Sequence, residues 1–159
     1  MKNVASRIAF SPALEGNFAT SVEDVIALLC DILLKKYEID NAYRSFADRV
    51  RGPFRDALVD HWQEHAKEER TSAYDFAMKI MGLGGDPQVC PTTCSITNPT
   101  IDTFCQKLAE MELELIKMNR DLAEIAGENT ALRVLAENTI LQDTQHLDDL
   151  RRMSLVYVG

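Results

Sequence analysis

Four long stretches of this chain place apolar residues at every third or fourth position, the period of one face of an α-helix. In the first, Val25, Leu29, Ile32, Ile39, Tyr43, Phe46 and Val50 share a stripe, and Thr20-Ser21-Val22-Glu23 precedes it as a capping box. Gly52-Pro53 ends that stretch and opens the second, with Phe54, Leu58, Trp62, Ser72 or Ala73, Phe76 and Ile80 facing inward as far as about Met81. The third runs from Asn98-Pro99 to Ala126-Gly127, and the fourth from Asn129 to about Leu155. Each has about 25–30 residues and, by helix rise, is roughly 40 Å long. The fold class expected is all-α, a four-helix bundle.

The connections order the helices. Short turns make helices one and two, and three and four, antiparallel pairs. Residues 83–99 have no periodicity and are rich in Gly, Pro, Thr and Asn. About 17 extended residues reach roughly 55 Å at ~3.3 Å each, enough to cross the bundle end to end and leave helices two and three parallel. A loop this long in a compact domain calls for a geometric reason. Residues 1–20, with Ile8, Phe10, Leu14 and Phe18 interrupted by Pro12 and Gly16, read as an arm that docks onto something such as a neighbouring subunit. Residues 21–155 form the bundle and 156–159 a short tail.

Composition narrows the function. With 25 acids against 17 bases and a net charge of -8, the chain is a poor general nucleic-acid binder, since phosphate neutralisation needs clustered Lys and Arg. No apolar run approaches the ~20 residues that span a bilayer. No secretory signal is legible, so a cytoplasmic location is expected, with Cys30, Cys90, Cys94 and Cys105 as thiols. Cys90-x3-Cys94 leaves a disulfide open; a zinc site there is disfavoured because every His lies on a helix.

Three of the stripes are interrupted near their middle by ionisable residues: His65 and Glu69, then Glu112, then Asp143 and His146. Carboxylates in a core are costly unless paired or bound to metal. Several at one level of a four-helix bundle are the chemistry of a dinuclear carboxylate centre, and oxygen with imidazole ligands suits iron or manganese. His65 lies one turn before Glu69 on the same face and is either a further ligand or a hydrogen-bonded core His.

Residues 63–87, QEHAKEERTSAYDFAMKIMGLGGDP, and the later ILQDTQHLDDLRRM resemble the second and fourth helices of the ferritin-like superfamily, in its bacterioferritin-like and Dps-like branches. The likeness covers about residues 22–155. It implies the one-crossover, ferritin-like bundle and a di-iron site with one Glu from helices one and three and Glu-x-x-His from helices two and four. Carried onto this chain, helix four gives Asp143 and His146, helix three Glu112, and helix two Glu69 with Ser72 where the family has His. On helix one the aligned position is Lys36 and the nearest acid is Glu38, about 200° away around the helix. Either an irregularity turns Glu38 inward or that ligand is lost, in which case Lys36 compensates the buried carboxylates without metal. Haem is not expected, because Arg70 stands where bacterioferritins place a Met.

The resemblance therefore implies Fe(II) oxidation and iron storage or detoxification, with Fe(II) and an oxidant as partners. A ferroxidase results if the di-metal site is intact. With only 13 residues after His146, the fifth helix of 24-subunit cages is absent, which favours a Dps-like dodecamer or a dimer. The alternative is a metal-free structural or interaction protein on the same bundle.

Overall fold

The computed structural model describes residues 18–97 and 99–158. Four helices account for the fold among them: α1 (Val22–Arg49), α2 (Arg55–Gly82), α3 (Ile101–Ile125) and α4 (Thr130–Val158). The all-α four-helix bundle stands as expected.

The helix ends follow from local chemistry. α1 is capped by Ser21, whose Oγ accepts from Asp24 N at 3.1 Å, while Thr20 and Ser21 hydroxyls donate to the Asp24 carboxylate. The cap is thus one residue later than the Thr20–Glu23 pairing, because it is the Ser21 hydroxyl that takes the backbone N–H three residues on. α3 starts with a reciprocal Thr100–Thr103 box, and Asn129 Oδ1 caps α4 by accepting from Leu132 N. Gly127, at φ 57, takes the left-handed position that ends α3. Phe54 departs from the inward stripe. It precedes α2, is 45% exposed, and packs its ring on Tyr157 at 4.8 Å. α4 carries on through residues 156–158, so these prolong the helix rather than form a tail. Residues 1–17 of the arm and Gly159 lie outside the described residues. Of the arm's apolar positions, Phe18 packs against the core, and Ala19 N donates to Ile125 O.

The crossover runs beside α1 along its whole length. Cys30 Sγ lies 3.7 Å from Asp86 O, Thr92 meets Glu38, and Arg49 Nη2 donates to Ile96 O. Phe46 of late α1 stacks on Phe104 of early α3, so those helices are antiparallel, and Trp62 of early α2 meets the same Phe104, so α2 and α3 are parallel. The order is up-down-down-up. Gly85 makes the start of the crossover fit: a Cβ there would come 2.7 Å from Ile26 Cγ2.

Candidate metal centre

Helical spacing brings five ionisable side chains to one buried level. Lys36 of α1, Glu69 of α2, Glu112 of α3 and Asp143 of α4 each have no measurable exposure, and His146 of α4 has 2%. One ligand atom from each of Glu69, Glu112, Asp143 and His146 lies within 4.8 Å of the others. His146 Nδ1 is 3.2 Å from Glu112 Oε1 and 3.1 Å from Glu69 Oε1. The Lys36 ammonium sits among them, 3.0 Å from Glu69 Oε2 and 3.7 Å from Asp143 Oδ1.

The surroundings are also polar. Tyr43, two turns after Lys36 on the same face, donates its hydroxyl to Glu112 Oε1 at 2.8 Å. His65 does not join the four-donor group. Its Nδ1 lies 3.3 Å from Tyr43 Oη, and its ring stacks on His146 at 4.1 Å. Glu68, at 45% side-chain exposure, reaches inward to His146 Nε2 at 2.7 Å. Glu68 and Ser72 together line an open polar groove of about 400 Å³ between α2 and α4.

Glu38 is placed elsewhere. α1 is a regular helix there, and the Glu38 carboxylate accepts from Thr92 N and Oγ1 and pairs with Lys35. It anchors the crossover. Arg70 is engaged by Asp40 Oδ2 at 2.9 Å and lies over the Tyr37 ring. The four cysteines are free thiols, and burial pushes Cys105 up to about 12. Glu68 and Tyr43 escaped notice in the sequence. Glu68 sits beside the inward Glu69 but on the helix shoulder, and Tyr43 looked like one more apolar stripe residue.

The charges settle by competition. Burial raises the Asp143 carboxyl to about 8, outweighing the pull of Lys36, so it is largely protonated at neutral pH. Burial opposes charge on His146 too, but its contacts with Glu112 and Glu69 prevail and lift it to about 11. Burial also raises Glu112, whereas for Glu69 the attraction of Lys36 and His146 overcomes burial and lowers it. Lys36 stays charged, because Glu69 and Asp143 outweigh its desolvation. His65, buried and next to cationic His146, falls to about 3 and is neutral.

The donor set fits a hard cation in part. Glu69 Oε1, Glu112 Oε2 and both Asp143 oxygens are buried and accept no hydrogen bond among the described residues. Buried oxygens without partners are costly, and a divalent ion coordinated by carboxylate and imidazole would satisfy them. A pair of ions fits less well. The helix-one position carries an ammonium where a second ion would need an acid, and Ser72 supplies no imidazole.

Comparison with known proteins agrees with this architecture. The sequence profile of the ferritin-like domain matches residues 26–154. Among solved structures, a ferritin-like diiron-carboxylate protein from Bacillus anthracis superposes with a TM-score of 0.79 at 27% identity, over 83% of this chain and 96% of that one. A dodecameric thioferritin, the bacterioferritin-related protein of Bacteroides fragilis, gives 0.78 at 22% identity, over 87% and 88%. An archaeal Dps homologue from Halobacterium salinarum gives 0.79 at 18% identity, over 89% and 84%, and these last two show the fold alone. No curated protein matches the chain. Four helices with one long crossover, a buried carboxylate–imidazole layer, and a profile match over most of its length make this chain a member of the ferritin-like domain family.

Proposed function

We propose that the protein binds Fe(II) as substrate at Glu69, Glu112, Asp143 and His146, and that oxidant then converts it to Fe(III) for storage or detoxification. The observation that carries this is the buried four-donor group, in which Glu69 Oε1, Glu112 Oε2 and both Asp143 oxygens have no hydrogen-bond partner among the described residues. Lys36 holds one positive charge permanently in the layer, so one ion per chain balances the centre. Carboxylates are hard anionic ligands and favour the ferric state, so each bound ion readily gives one electron to the oxidant. Binding must displace protons held by Asp143 and His146, which makes uptake pH-dependent. Glu68 spans the distance from the open groove to His146, the natural route for an entering cation.

A Dps-like homo-oligomer accompanies this reading. Tyr74, Met78 and Met81 form an exposed apolar stripe on α2, 62%, 48% and 57% accessible, the kind of surface a subunit contact covers. No helix of the described residues is long and apolar enough to cross a membrane, and free thiols suit the cytoplasm.

Lys36 favours a second reading, a metal-free bundle in which Lys36 and His146 neutralise the carboxylates and the layer specifies structure. Aerobic loading with Fe(II), followed by iron analysis and absorbance of the ferric product, separates the two. One iron per chain with oxidation above the buffer rate supports iron handling. No bound iron and no added rate sinks it, and ferroxidase activity appearing only in Lys36→Glu/Ser72→His would establish the second reading.

A further inference from the structure

Beyond the buried centre, α2 and α4 bring a second group of donors together nearer the surface. His61 and His65 are one turn apart on α2, with ring centroids 4.3 Å apart. The Nε2 atoms of both lie near one oxygen of α4, Asp149 Oδ2, each at 3.4 Å. The other carboxylate oxygen, Oδ1, is held by Arg152. His61 Nε2 is buried and has no hydrogen-bond partner among the described residues.

The tautomer of His65 sharpens the geometry. Tyr43 spends its only proton on Glu112 Oε1 at 2.8 Å. The phenol oxygen therefore accepts from His65 Nδ1–H, 3.3 Å away. That leaves His65 Nε2 as a lone pair 3.4 Å from a carboxylate oxygen. Two electron-rich groups face each other, with a second imidazole nitrogen turned to the same oxygen. Metal–ligand bonds of roughly 2.0–2.1 Å set the ligand–ligand edge of a tetrahedron at roughly 3.3–3.4 Å. The two measured separations match that edge.

We propose that His61, His65 and Asp149 form an outer site for one divalent transition-metal ion, with zinc the best match in bond length and four-coordinate preference. His61 and Asp149 line a cavity of about 250 Å³ that Met153 and Tyr157 also wall, and water from it supplies the fourth ligand. Two of the ligands have supporting contacts: Tyr43 accepts from the far nitrogen of His65, and Arg152 orients Asp149. The site shares no ligand with the buried four-donor group, and it stands whether or not that group takes iron.

The test is zinc titration of the full chain, followed through the imidazole 15N resonances of His61 and His65 and by counting bound ions. One equivalent should move the Nε2 signals of both residues. His61→Ala and Asp149→Asn should each bind one zinc ion fewer per chain, or bind it more weakly by over the ~10–100-fold that loss of a supporting residue costs. His61 is one-third exposed, so its truncation does not threaten the fold. Circular dichroism checks this, and the resonance shifts need no variant. Unmoved His61 and His65 signals, or unchanged zinc stoichiometry and affinity in both variants, overturn the proposal.

Discussion

Two layers of the same bundle, about two turns apart along α2, are built on opposite chemistry. In one, Phe46 stacks on Phe104 at 4.3 Å and Trp62 meets the same ring edge-on at 5.8 Å. In the other, Lys36, Glu69, Glu112, Asp143 and His146 fill an equally buried space. The aromatic layer gains from burial itself, whereas the charged layer is tolerable only because its members neutralise one another and leaves several oxygens without partners. A core that carries such a layer gives up stability that an apolar layer would supply. Its helices are held by the layers above and below.

The largest effects should come from removing one member of each layer. Trp62→Ala and Lys36→Met should each cost about 3–5 kcal/mol in urea unfolding of the metal-free protein, the first through a cavity and the second by leaving buried carboxylates uncompensated. Added divalent metal should restore much of the Lys36→Met loss and none of the Trp62→Ala loss. Equal responses to metal would erase the distinction between the layers.

A smaller effect concerns pH. Folded Asp143 keeps its proton up to about 8 against 3.8 unfolded, and His146 keeps its proton up to about 11 against 6.5. Both bind more protons when folded, so stability falls as pH rises through those windows. His65, depressed to about 3, works the other way but only below 6.5. Between pH 6.5 and 8 the metal-free protein should therefore lose stability steadily, and Asp143→Asn should flatten the slope. A wild-type melting temperature that stays constant or rises across that interval contradicts these charge assignments.

The smallest effect tests whether the remaining helix-one acid belongs to the charged layer. Glu38→Gln loosens the Thr92 anchor and should cost about 1 kcal/mol in thermal unfolding. Metal stoichiometry should not change, since Glu38 lies against the crossover. A lower stoichiometry in Glu38→Gln would return it to the centre.

Much of this was legible before any coordinates. The stripe Val25–Val50 falls on buried positions because period alone decides which face of a helix is apolar. Lys36 stood out as an ammonium at an inward position, and it is fully buried. Other features were hidden. Glu68 and Glu69 are adjacent acids, and only the packing of α4 against α2 separates a groove residue from a buried one. Only packing brings Asp149, 88 positions later in the chain, opposite His61. Thr20 and Ser21 are adjacent hydroxyls, each with an acid three residues on, and only the backbone shows that Ser21 caps α1.

The sequence by itself determined four amphipathic helices, the crossover that makes the middle pair parallel, and the inward position of Glu69, Glu112 and Asp143. These depend on local period and chain length, which are properties of order along the chain. Only the tertiary structure decided that Lys36 bonds Glu69, that Glu38 holds the crossover, and that two histidines and an aspartate converge near the surface. Those depend on the rotation of each helix about its axis and on distances between residues far apart in sequence, which are fixed only when the helices pack.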